Sequence, residues 1–162
     1  MRIQLIGLSL ALLSASAFAA DKEITVEAGG KPALKLSVPA EAEVAAKGDE
    51  TTIKTPSLRI YLWHVKSAKT VADAEAHVND IIKSEFVNYK IGETKSIKVG
   101  GHEAKHITGK GEEADDNDPG TADVVIFTEG KNVFAACVHG EKDEASKERP
   151  GLMKVLESAK GL

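Results

Sequence analysis

Two hydrophobic periods take turns along this chain. Ile24–Ala28 and Ala33–Val38 alternate apolar with polar residues, the period of two that a strand with one buried face shows. Gly29-Gly30-Lys31-Pro32 between them is a turn signal, so the pair predicts a hairpin. Glu41–Asp49 is polar and Ala-rich without a sustained period and predicts no element. Thr51–Thr55 predicts a short strand before Pro56. Leu58–Val65 predicts a longer one, with Leu58, Ile60 and Leu62 on one face and Tyr61, Trp63 and Val65 on the other. Two apolar faces mark a strand covered on both sides.

From Thr70 the period lengthens. Val71, Ala74, Val78, Ile81, Ile82 and Tyr89 fall near helical spacing, and Thr70 with Asp73 three residues on has the form of a capping box. No helix breaker occurs before Gly92, so the pattern predicts one long helix over residues 70–89. From Lys95 the period returns to two: Ser96–Val99 and Glu103–Thr108 flank the turn Gly100-Gly101. The stretch GKGEEADDNDPG over residues 109–120 predicts a long mobile loop. Ala122–Thr128 and Val133–His139 are strands around the turn 129–132, the second apolar on both faces. Glu141–Arg149 fits a loop or a helical turn. Pro150 suits the first turn of a helix, and Leu152, Val155, Leu156 and Ala159 predict a short C-terminal helix ended by Gly161. The order predicts an α+β class: an antiparallel sheet with one long helix packed on it and a short C-terminal helix.

The first twenty residues read MRIQLIGLSLALLSASAFAA. Arg2 supplies a positive start, Leu5–Leu13 an apolar stretch, and Ala17-Phe18-Ala19 the small residues that a signal peptidase requires. Residues 1–19 are therefore expected to be a secretory signal peptide, and residues 20–162 a single domain that is periplasmic or secreted. The apolar run is about half of the ~20 residues that a spanning helix needs, so no transmembrane anchor is expected in the mature chain. Cys137 is the one cysteine; it rules out an internal disulfide and lies in an apolar run, as a buried inert thiol does.

Charge changes the picture little. Twenty-one basic residues against 25 acidic ones give a net charge of −4, which argues against nucleic acid as a partner. None of the serines sits in a G-x-S-x-G elbow. Cys137 and His139 share a strand face but lack an orienting third group. No phosphate loop, dinucleotide fingerprint or CxxC is present, so no cofactor is expected. Four Phe, two Tyr and one Trp offer too few rings for a carbohydrate or single-strand platform.

The candidate metal ligands are His102, His106 and His139, should the strands bring them to one region. His102 and His106 share a face but stand about 13 Å apart along a straight strand. His77 pairs with Asp73 or Asp80 on a helix, which equally describes a solvated face. A calcium loop starting at Asp115 puts Gly120 at its sixth position but Ile126 where a bidentate Glu is needed, and fails.

The chain resembles the PsbP-like and DcrB-like exported domains. The resemblance rests on an early hairpin, LRIYLWHV, TVADAEAHVNDIIKSEF, the strand pair around IKVGGHEAKHITG, the hairpin ADVVIFTEGKNVFAACVHG and the closing LMKVLESAK. Val99-Gly100-Gly101-His102-Glu103-Ala104 is similar to that group's V-x-G-x-x-A turn, and Val155–Ser158 to its final helix motif. The resemblance implies an antiparallel sheet flanked by helices. It also implies an accessory or binding role without a shared enzymatic chemistry, and it transfers no site residues. The expected function is that of an exported, non-enzymatic envelope protein that binds another protein or a small molecule. The alternative is a periplasmic metal-binding protein using His and acidic side chains.

Overall fold

The structure is a computed structural model and describes residues 21–162, so the expected signal peptide lies outside the described residues. The elements are β1 Lys22–Ala28, β2 Lys31–Val38, β3 Glu43–Lys47, β4 Glu50–Thr55, β5 Leu58–His64, α1 Val71–Glu75, α2 Val78–Ile81, β6 Phe86–Val99, β7 His102–Glu113, β8 Pro119–Glu129, β9 Asn132–Glu141, α3 Glu144–Glu157 and β10 Lys160–Gly161. Seven strands form an antiparallel sheet in the order β3-β4-β5-β9-β8-β7-β6, and β1-β2-β10 form a smaller one. The α+β class stands.

The alternation read from the sequence sorts the large sheet into two cores. Leu58, Ile60 and Leu62 of β5 and Phe134, Ala136 and Val138 of β9 enter one core. There they meet Leu34 and Leu36 of the small sheet and Leu152, Val155 and Leu156 of α3. The intervening residues of β9, Val133, Ala135 and Cys137, enter the other with Ala74, Val78 and Ile82. The central strand is thus covered on both faces, which its apolar run demands.

The expected single long helix over 70–89 is absent. Its capping box forms, with Thr70 Oγ1 accepting from Asp73 N at 3.1 Å and Asp73 Oδ2 accepting from Thr70 N at 3.0 Å. The helix then breaks at His77 (φ −113°, ψ 18°) and again after Ile81, so that two single turns deliver Ala74, Val78 and Ile82 to the core. Beyond them the chain enters β6 at Phe86, and Asn88 takes φ +55° inside the strand, where its register against β7 shifts between Val87 and Lys90. The reason lies in β7. A Cβ on Gly109 would meet the Tyr89 ring, and one on Gly111 would come within 2.7 Å of the Phe86 ring. These glycines hold flat ground for two aromatic rings, and that burial outweighs helical continuation.

The same pairing removes the expected mobile loop. Strand pairing continues to Gly111↔Gly120 and Glu112↔Pro119, leaving Ala114–Asp118 as the connection. β3 was invisible to periodicity because all five of its residues are exposed at the sheet edge. The expected short C-terminal helix is the longest in the structure, 14 residues, with Pro150 inside it rather than in its first turn. Ser158 Oγ accepts from Ser37 N at 2.8 Å and ties the end of α3 to β2.

Candidate functional site

Each of the five histidines faces its own carboxylate: His64 Asp49 (3.4 Å), His77 Asp80 (3.6 Å), His102 Glu129 (3.7 Å), His106 Asp123 (3.1 Å) and His139 Glu85 (3.1 Å). The three candidate metal ligands are not brought together. His106 lies on the α3 face of the sheet with Asp123, which stands opposite the core residue Val138. His139 follows Cys137 in register and lies on the opposite face. His102 shares the His106 face, one long stride away near the Gly100-Gly101 turn. The strand alternation that places them was legible; which faces the helices would cover was not.

Two constellations stand out. The first is built on His139. Glu85, from the segment after α2, meets Nε2 at 3.1 Å, and Glu113, from the end of β7, lies 3.6 Å from Nδ1. Glu113 Oε1 and His139 Nδ1 are both buried and neither finds a hydrogen-bond partner. The hydrogen bond to His139 holds the Glu85 carboxyl below the usual glutamate value, whereas burial pushes that of Glu113 up. Tyr61 stacks on the imidazole at 5.0 Å and Phe86 meets it edge-on at 5.3 Å. Tyr61 in turn stacks on Trp63 at 6.0 Å. Residue counting missed this. The chain has few aromatics, but β5 and β9 line up Trp63, Tyr61 and His139 on one face, half-buried and flanked by Glu50, which accepts from Trp63 Nε1 at 3.2 Å. The carboxylates of Glu113, Asp115 and Asp116 also come within 4.8 Å of one another.

The second constellation is Asp123 with Arg149 and His106. Arg149 Nε and Nη2 donate to the two carboxylate oxygens at 2.9 and 3.1 Å, and His106 Nε2 lies 3.1 Å from Oδ1. Burial alone pushes the Asp123 carboxyl up. The hydrogen bonds from His106 and Arg149 outweigh it, so the group sits below the usual aspartate value. Cys137 is fully buried, and burial pushes its thiol well above the ordinary value. A groove of about 840 Å³ at the end of the sheet is lined by Leu58, Arg59, His139, Glu144 and Glu148.

No family model matches the chain, and no curated protein matches it in sequence. Solved structures do share its fold. The solution structure of cyanobacterial PsbP from Synechocystis has a TM-score of 0.55 at 11% identity, covering 91% of this chain and 96% of that one. LpqN of Mycobacterium tuberculosis, described as involved in cell envelope biogenesis, has a TM-score of 0.51 at 13% identity, covering 87% and 91%. A structure from Bacteroides thetaiotaomicron has a TM-score of 0.54 at 14% identity, covering 80% of this chain. The chain spans less than half of that protein's length, 45%. The PsbP-like resemblance therefore holds in the fold. No helix of the described residues is long and apolar enough to cross a membrane.

Proposed function

We propose that this chain is an exported accessory protein of the cell envelope, periplasmic or secreted, that acts by binding rather than by catalysis. The observation that carries the reading is the Trp63–Tyr61–His139 strip. Two half-buried amphipathic rings are fixed in a stack on a covered sheet, the kind of rigid surface that proteins use as binding anchors. The fold shared with LpqN and cyanobacterial PsbP supports the accessory role. The test has two arms. Expressed with its own N terminus in a Gram-negative host, the chain should appear in the periplasm with a mass that begins at Ala20. A photo-crosslinking residue at position 63 should then yield a discrete adduct with an envelope protein, and one at Glu23 should not. Cytoplasmic retention of the intact mass, or identical adduct patterns at both positions, overturns the proposal.

A second reading, metal binding by His and acidic side chains, draws support from one observation: Glu113 is shared between the His139 contact and the Glu113, Asp115, Asp116 group. It assigns no ligand role to His102 or His106. A rise in Tm with Zn²⁺ or Ca²⁺ that disappears in Asp115→Asn/Asp116→Asn supports it, and no rise at large metal excess removes it.

A further inference from the structure

Beside α3, on the same face of the sheet as Asp123, strands β6, β7 and β8 leave a groove of about 580 Å³. Thr108 and Asp123 lie in its floor, Ser146 and Arg149 of α3 form one wall, and Lys90, Lys95 and Lys110 line the rest. The register makes the placement costly. Lys90 stands directly opposite Lys110. Like charges directly opposed on one sheet face destabilise it.

The groove's own acids do not relieve this pair. Glu93 engages Lys95 at 3.1 Å, and Asp123 is taken by Arg149 and His106. Among the described residues, neither Lys90 nor Lys110 pairs with a carboxylate. Four cationic side chains against two carboxylates thus line one groove, in a chain whose net charge is −4. Hydrogen-bond donors are at hand as well. Arg149 commits Nε and Nη2 to Asp123, which fixes the guanidinium plane and leaves Nη1 for a ligand. Thr108 Oγ1 accepts from Glu93 N at 3.1 Å, so its hydroxyl proton is free to donate. Two lysine point charges, an oriented guanidinium and a hydroxyl are the donor set of phosphate recognition, and two excess positive charges match a dianion.

We propose that this groove binds a phosphate-class anion, free or carried as a lipid headgroup, between Lys90, Lys110 and the Arg149 guanidinium. The opposed lysines are then held in place for the ligand rather than for the fold.

The test compares the full chain with Lys90→Gln/Lys110→Gln, so that any contribution of the N-terminal segment cancels. Inorganic phosphate is titrated by calorimetry, and flotation is measured with vesicles of phosphatidylcholine alone and of equal parts phosphatidylcholine and phosphatidylglycerol. The wild type should bind phosphate, the anionic vesicles, or both, and the variant should lose roughly tenfold or more in affinity, as expected when point-charge contacts to an anion are removed. Saturable phosphate binding identifies a free anion as sufficient; flotation alone identifies the headgroup. In phosphate-free buffer the variant should melt at the same temperature as the wild type or higher. Equal binding by the two chains, no binding by the wild type to either probe, or a lower melting temperature of the variant in phosphate-free buffer each overturns the proposal.

Discussion

Arg149 grips Asp123 through two parallel hydrogen bonds, and this pair fastens the first half of α3 to the middle of the large sheet. The Asp123 side chain is 2% exposed, so its charge depends on these partners and on His106. Asp123→Asn keeps the shape and removes the charge. It should cost about 2–3 kcal/mol, below the full price of a broken buried pair because the Arg149 head is partly in water. Urea unfolding with a conserved m-value checks this.

The same carboxylate sets an acid limit. Its folded-state value lies below the ordinary 3.8. Such a group contributes stability that is fully present above the unfolded value and is lost as pH falls through the folded one. Stability of the wild type should therefore drop below the ordinary aspartate range, and the slope should flatten in Asp123→Asn. An identical acid profile in the two proteins would assign the loss to other groups.

Glu113 behaves in the opposite sense. Burial raises its carboxyl above the ordinary 4.5, so its ionised form is disfavoured in the folded protein. A raised acid group lowers stability as pH climbs from the unfolded value to the folded one, and above that the loss stays constant. Glu113→Gln should be close to neutral in acid and stabilising near neutrality. Thermal melts across pH measure the difference, and a destabilised variant at neutral pH would mean that the His139 contact dominates.

Gly109 should not tolerate a methyl group. A Cβ there would collide with the Tyr89 ring and lie 2.6 Å from Lys90 O, a backbone atom that cannot step aside. Gly109→Ala should cost about 2–3 kcal/mol by overpacking. Gly29→Ala meets nothing within 4 Å and answers only to its φ of +60°, so it should cost less, about 1 kcal/mol. Equilibrium unfolding of the two variants ranks them.

Cys137 should be silent toward thiol reagents until the protein unfolds. It is fully buried and its thiol is held protonated by that burial. Labelling kinetics at increasing urea should follow unfolding; fast labelling in native buffer contradicts the placement.

Much of the fold was legible because most strands carry a clear period of two. Leu58, Ile60 and Leu62 and the two faces of Val133–His139 landed where alternation put them. The helix over 70–89 failed for a non-local reason. Phe86 and Tyr89 fit a helical stripe equally well, and only the glycines of β7, twenty residues or more along the chain, decide that they form a strand. Gly109 and Gly111 carry a loop signal in the sequence, and in the fold they are seats for rings. Sequence spacing could pair Cys137 with His139 and place both on one face. It could not show that Glu85 and Glu113, far apart in sequence, close on the imidazole from two sides.

β9 also has a bearing on how mutations combine. Phe134 and Ala135 are neighbours in sequence, yet they contribute to packing on opposite sides of a layer one sheet thick. Phe134 and Leu156, which belong to the same core, lie 22 positions apart in the chain. Double substitutions along β9 should therefore sum almost independently at adjacent positions, whereas paired changes in β9 and α3 should show strong epistasis. In this protein, distance along the sequence is a poor guide to which residues share an energetic fate.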